Sequence, residues 1–242
     1  MLEQYFTEIH RLLETVLQKE GKQLKEAATK VAETIENQHI IHLFGCGHSH
    51  ILTEEVYYRA GGLVPIHPIL HEPLMLHEGA VRSSTLERKN NYAEHFMKEQ
   101  DIKEGDIVFV ISTSGRNPVP VDVALFAKEQ GAFVVGITSI DYATSQPSRH
   151  KDAKYLYEVV DLVIDNHAPI GDALLEHEKI AVRFSPSSTV IGATILNAIF
   201  GESIKLMAEH GFEAPIFLSG NIEGSDEHNQ RLIDQYSGRI TL

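Results

Sequence analysis

Cysteine is nearly missing from this sequence: Cys46 is the only one in 242 residues. A lone cysteine excludes an internal disulfide and points to a reducing compartment, so a cytoplasmic protein is expected. Basic residues are scarce too. Twenty-one Lys and Arg stand against 34 Asp and Glu, a formal net charge of −13. That balance argues against a surface for nucleic acid or anionic membrane, either of which wants clustered Lys and Arg. A phosphate ligand stays open, because backbone N–H groups at helix N-termini hold anions without Lys or Arg. No apolar run is expected to reach the length of a bilayer crossing. The N-terminal MLEQYFTEIHRLLETVLQKE is acidic and amphipathic, which does not suit a signal peptide. Repeats, low-complexity stretches and linkers are likewise missing.

What is present is an ordinary globular mix, 43% hydrophobic and 23% charged. The length suits one domain over 1–242 with helical additions. Leu2, Tyr5, Phe6, Ile9, Leu12, Leu13, Val16 and Leu17 form a helical stripe, and Leu24, Ala27, Ala28, Val31 and Ile35 form a second. Gly21 between them predicts a break, giving two helices or one bent helix over 1–37. From there to residue 211, apolar runs alternate with helical stretches. Strands are predicted at 39–44, 63–69, 107–112, 133–138 and 162–165, and helices near 51–60, 86–100 and 119–130. This alternation demands crossover connections, hence an α/β fold with a doubly wound, mainly parallel five-stranded sheet. Asn117, Pro118 and Gly131 punctuate the helix after the third strand as cap, first turn and stop. A hairpin is expected over 173–184, then a long helix from Ser187 to His210, apolar nearly all round. A polar tail covers 212–242.

In an open parallel sheet, ligands bind beyond the carboxyl ends of the strands. After the first strand comes Gly45-Cys46-Gly47-His48-Ser49, a turn whose glycines let the backbone approach a ligand. A dinucleotide fingerprint is the rival, but His50 fills its third glycine position and no acid suits the ribose. After the third strand comes Ser112-Thr113-Ser114-Gly115-Arg116-Asn117. Its hydroxyls, glycine and helix start suit three phosphate oxygens.

Together these loops resemble the sugar isomerase (SIS) family, with G-x-G-x-S after the first strand and S-x-S-G-x-[TN] after the third. KEQGAFVVGITS, SRHKDAKYLYEVVDLVID and SPSSTVIGATILNAIF are similar to later segments of that family. The resemblance runs from about Leu24 to Gly211 and implies a flavodoxin-like SIS fold. It implies phosphate contacts by Ser112, Ser114 and Asn117, and a sugar site lined by Ser49 and by Ser187 or Ser188. Gly45, Gly47, His48, Thr113 and Gly115 complete the expected phosphosugar-binding set. The tail FLSGNIEGSDEHN resembles a group of SIS phosphosugar-binding proteins. Because SIS dimers often share sites across subunits, Asp226, His228 and Asn229 are candidates for a contribution from a partner chain in a homodimer or dimer of dimers.

The implied reaction is aldose–ketose isomerisation of a phosphoheptose- or aminohexose-type substrate through an enediol, which needs Glu or His for proton transfer. His71, Glu72, His77 and Glu78 in HEPLMLHEGA are the catalytic candidates. A lyase or etherase would use the same enolising base, and a non-catalytic sugar-phosphate sensor would use only the binding loops. Neither His48 with His50 nor His71 with His77 shows a telling ligand spacing, so no metal and no cofactor are expected.

Overall fold

The computed structural model describes residues 1–240. The N-terminal stripes form one helix, α1 (Leu2–Glu36). The expected break at Gly21 is absent. A glycine there costs roughly 1 kcal/mol relative to alanine, and α1 is held from both sides of it by buried Val16, Ala27, Ala28 and Val31. The first strand, β1 (Ile41–Gly45), leads through a short 3₁₀ turn to α2 (His50–Val56). β2 (Ile66–Pro68) follows, shorter than the sequence suggests. The single helix expected over 86–100 is two, α3 (Ala80–Glu87) and α4 (Glu94–Met97). The split falls at Asn90-Asn91, where Asn91 has φ +61° and its N–H is taken by Asp122.

The remaining core elements are β3 (Ile107–Ile111), α5 (Pro118–Glu129), β4 (Phe133–Thr138), α6 (Ile140–Thr144), α7 (Leu156–Val159) and β5 (Leu162–Asp165). A hairpin, β6 (Leu175–His177) and β7 (Ile180–Phe184), precedes α8 (Ser188–Glu209). The tail carries a helix that its polarity conceals, α9 (Ser225–Tyr236).

The five-stranded sheet has the order β2-β1-β3-β4-β5, and every pairing in it is parallel. Central strands such as Ile107-Val108-Phe109-Val110-Ile111 are buried throughout, as both covered faces require. Ile107, Phe109 and Ile111 pack with α1, α2 and α8, whereas Val108 and Val110 pack with α3, α4, α5 and α7. The helix after β1 and those after β2 and β3 thus lie on opposite faces. Beside β1 and β3 this change of side opens the crevice in which doubly wound folds bind ligands.

α8 corrects one expectation, since by length and composition it suffices to cross a membrane, with mean hydropathy 1.4. It lies instead against α1, α2 and the sheet, burying Ile191, Ile195, Leu196, Ile199 and Phe200. This is the place of a core helix. The tail packs at the β2 side, where 61–64 and 215–217 exchange backbone hydrogen bonds and Val64, Phe217, Leu232 and Tyr236 form a small core.

Candidate functional site

Register sets the site. Gly45 of β1 stands opposite Ile111 of β3, so the two loops leave the sheet side by side. Both depend on glycine. A Cβ on Gly45 would stand 2.5 Å from the Ser49 carbonyl carbon, a backbone atom unable to yield. Gly115 has φ +53°, and a Cβ there would stand 2.5 Å from Thr138 Oγ1.

The Ser112–Asn117 loop is tied down by its outward carbonyls. Ser139 N donates to Thr113 O, Leu156 N to Gly115 O and Arg149 N to Arg116 O. Its amides face the other way. Among the described residues, nothing accepts from the N–H groups of Thr113, Ser114, Arg116 or Asn117. The hydroxyls of Ser49 and Ser114 also meet no protein partner. Ser112 Oγ accepts from Gly115 N at 3.3 Å, which leaves its proton to donate. Thr113 Oγ1 accepts from Asn166 Nδ2 at 3.4 Å. This density of donors, at the start of a helix, is a setting for an anion.

Asn117 sits at the N-cap position of α5 but does not cap it with its side chain. Its Nδ2–H donates to Glu87 Oε1 at 2.9 Å, and its Oδ1 accepts from Arg149 at 2.9 Å. Glu87, from the last turn of α3, is the residue the sequence reading missed. Burial pushes its carboxyl above the ordinary range, and the Asn117 hydrogen bond and the charges of Arg88 and Arg149 only partly oppose this. Nothing in its local spacing marks it, because it is helix packing that half-buries it. Burial, reinforced by Glu87, also pushes the Cys46 thiol well up, so Cys46 is a poor nucleophile.

The other sequence-derived candidates scatter. Gly47 (φ +56°) and exposed His48 continue the first turn, and the His50 Nδ1–H donates to the Gly47 carbonyl. The His50 ring lies 6.4 Å from that of His77, whose neighbour Glu78 is 4.0 Å away. Glu78 and Glu72 are both exposed. His71 faces another way: it stacks on Phe96 at 4.4 Å and shares a hydrogen bond of 3.0 Å with the Tyr92 hydroxyl. Burial, then the charge of Arg82, pulls its pKa down, which favours the neutral ring.

Ser187 and Ser188 are already engaged. Both backbone N–H groups and both hydroxyls donate to the Asp172 carboxylate, at 2.6–2.9 Å. In the tail, the His228 Nε2–H donates to Ile216 O at 2.9 Å. Asn229 exchanges two hydrogen bonds with the Leu218 backbone, while Asp226 is exposed. Among the described residues, no three His, Cys, Asp or Glu side chains are grouped to hold a metal ion.

Known proteins are similar to this chain in sequence and in fold. The chain is 64% identical over 242 residues to a UPF0309 protein of Halalkalibacterium halodurans, covering 100% of this chain and 97% of that one. A UPF0309 protein of Geobacillus thermodenitrificans is 60% identical over 242 residues, with coverage of 100% and 97%. Among solved structures, a phosphoheptose isomerase from Neisseria gonorrhoeae superposes with TM-score 0.53 at 13% identity, covering 86% of this chain and 97% of that one. The sugar isomerase domain of an RpiR transcription factor from Sphaerobacter thermophilus gives TM-score 0.52 at 10% identity, with coverage of 98% on both sides. At such identities the likeness speaks for the fold. A family model of the SIS domain matches residues 4–139, a stretch that holds both glycine-dependent loops, Glu87 and the switch point between β1 and β3. With that match and its full-length relatives, the chain belongs to the SIS domain family.

Proposed function

We propose that the crevice between β1 and β3 binds a phosphorylated sugar and moves a proton between neighbouring carbons of it, an aldose–ketose isomerisation through an enediol. The observation that carries the phosphate half is the cluster of free donors in the second loop, with four N–H groups and the Ser114 hydroxyl unclaimed. The sugar then extends toward the first turn, within reach of His48 and Ser49. For the chemistry, the half-buried Glu87, hydrogen-bonded to the phosphate loop, is a better-insulated base than exposed Glu72 or Glu78. A carboxyl whose pKa is raised above the ordinary carboxylate range is a better proton acceptor once ionised. His77, beside His50 and Glu78, is the group for ring opening. A lyase or etherase acting through the same base is the nearest variant.

The test is a panel of sugar phosphates assayed for binding and for solvent-deuterium exchange at the carbon next to the carbonyl. Binding with exchange supports the isomerase. Tight binding with no exchange across the panel replaces it with a sensor. Ser112→Ala with Ser114→Ala is expected to weaken binding by at least tenfold, since each hydrogen bond to a charged group contributes about 1.5–3 kcal/mol. Unchanged affinity in the folded double variant would make the loop a mere turn.

The same reading includes a homodimer. α1 exposes Leu2 (76%), Phe6 (61%) and Leu17 (70%), and the β6-β7 hairpin exposes Ile180 and Val182. A two-fold interface would cover them. Sedimentation at micromolar concentration is expected to give twice the 27.0 kDa chain mass, and a stable monomer overturns this.

A further inference from the structure

The tail builds a second hollow at the other end of the sheet from the crevice. Residues 212–242 lie outside the stretch matched by the SIS model, 4–139. They pack on Ile40 and Val64, just before the amino ends of β1 and β2, whereas the phosphate loop leaves the carboxyl end of β3. Between the tail and the turn after α2 stands a cavity of ≈ 320 Å³, lined among others by Tyr58, Arg59, Phe217, Asp226 and Ile233. Small-ligand sites run from roughly 300 to 1,000 Å³. The wall is fastened. Asn229 exchanges two hydrogen bonds with the Leu218 backbone, Phe217 N donates to Gly62 O, and Gly61 N donates to Phe217 O. Tyr58 has φ +43°, a conformation that bulky side chains rarely adopt and that clusters where ligands are held. Its ring stands edge-on to Phe217 at 5.1 Å and stays 58% exposed.

Charge decides what this cavity suits. The arginines of this region are already matched: Arg59 by Glu55, Arg231 by Glu213, and Arg239 by Asp101 and Asp106. Among the described residues, the Asp226 carboxylate meets no cation and no hydrogen-bond donor, and the Tyr58 hydroxyl has no partner. The cavity therefore offers an exposed aromatic ring, apolar Phe217 and Ile233, and one unmatched carboxylate. An anion would be repelled by Asp226, and a neutral ligand would leave its charge unmatched. A protonated amine answers the carboxylate and gains from the face of an aromatic ring as well. Arg59 opposes this little, because Glu55 holds its guanidinium through both the carboxylate and the backbone carbonyl. We propose that this cavity binds a small primary amine, its ammonium group on Asp226 and its carbon frame against Tyr58 and Phe217. Bound there, the amine braces α9 against the turn after α2. The site shares no residue with the crevice between β1 and β3, so it stands apart from the phosphosugar reading.

Calorimetry on the full chain at about pH 6, where amines are protonated, tests it with two amines and their hydroxyl counterparts. The probes are cyclohexylamine against cyclohexanol, and glucosamine against glucose. At least one amine is expected to bind about tenfold more tightly than its counterpart, a difference of about 1.4 kcal/mol. Asp226→Asn is expected to remove that difference. The side chain of Asp226 is exposed, so the variant keeps the fold, which thermal unfolding checks. Tyr58→Asn is expected to weaken the amine by at least about threefold. Asparagine tolerates positive φ, so the ring is removed without added backbone strain. Ser112→Ala with Ser114→Ala is expected to leave amine binding unchanged, and the bound amine is expected to slow hydrogen exchange over α9. Failure of both amines to bind overturns the site, as does equal affinity for each amine and its counterpart. A preference for the amine that survives in Asp226→Asn overturns it too. So does a loss of amine binding in the serine double variant, which would place the amine in the crevice.

Discussion

Glu87→Gln is expected to lower turnover by about 10²–10⁴-fold on any sugar phosphate that the wild-type chain isomerises, with affinity nearly unchanged. That range is what a positioned general acid or base contributes. Glutamine keeps an acceptor for the Asn117 Nδ2–H, which lies 2.9 Å from Glu87 Oε1, so the loop geometry survives. What disappears is the capacity to take a proton. Glu72→Gln and Glu78→Gln are the controls, because both carboxylates are exposed. A full loss at either of them and none at Glu87 would move the base to the loop after β2. Stability gives an independent reading of the same group. The carboxyl of Glu87 titrates higher in the folded chain than in the unfolded one, so the native state binds the extra proton. Its folded form is favoured at low pH, and that advantage is lost as pH rises past the ordinary carboxylate range. Glu87→Gln is therefore expected to be as stable as wild type or more so at neutral pH, with a flatter stability profile just above pH ~4.5. A destabilised variant would assign Glu87 to structure instead.

Asp106→Ala is expected to be the most damaging single substitution outside the site, costing about 3–5 kcal/mol in chemical denaturation. The Asp106 side chain is 0% exposed, at the amino end of β3. It accepts from Ile40 N at 3.1 Å, from Lys103 N at 2.8 Å and from His42 Nε2–H at 3.2 Å. Arg239 adds two more hydrogen bonds, at 3.0 and 2.8 Å. Removing the carboxylate strands two backbone donors and leaves a partly buried guanidinium held only by Asp101. It also unfastens the tail, so hydrogen exchange should rise over α9 before it rises in the sheet. Burial alone would push the Asp106 carboxyl up, but these hydrogen bonds prevail and hold it well below the usual carboxylate range. The unfolded chain then binds the proton more readily. This share of stability is fully present above about pH 4 and is lost as pH falls below it. Arg239→Ala, which leaves the other donors satisfied, is expected to give a smaller loss with the same release of α9. Unchanged exchange in α9 in both variants would show that the small core of Phe217, Leu232 and Tyr236 holds the tail unaided.

The sequence by itself determined the parts of this protein that repeat along the chain. Runs such as Ile107–Ile111 and Phe133–Thr138, separated by helical stretches, specify buried parallel strands, because both faces must be covered and the crossovers need helices. The two loops were legible for a related reason. Glycine is required where backbone meets backbone, as at Gly45, or where φ turns positive, as at Gly115, and those residues stand out in a linear text. Propensity misled where packing outweighed it. Gly21 lies inside α1 because buried side chains on both sides of it hold the helix in place, and α9 forms in a polar segment because three apolar residues find a partner surface at the β2 side. Only the tertiary structure decided which polar groups are free and which are spent. Ser187 and Ser188 look like donors for a ligand but are satisfied by Asp172. Asn117 looks like a cap but joins Glu87 to Arg149. Glu87 itself looks like any surface carboxylate at the end of a helix. Burial and hydrogen-bond partners arise from residues distant in sequence, so periodicity and spacing do not encode them, and they set the charge and proton affinity on which the chemistry of the site depends.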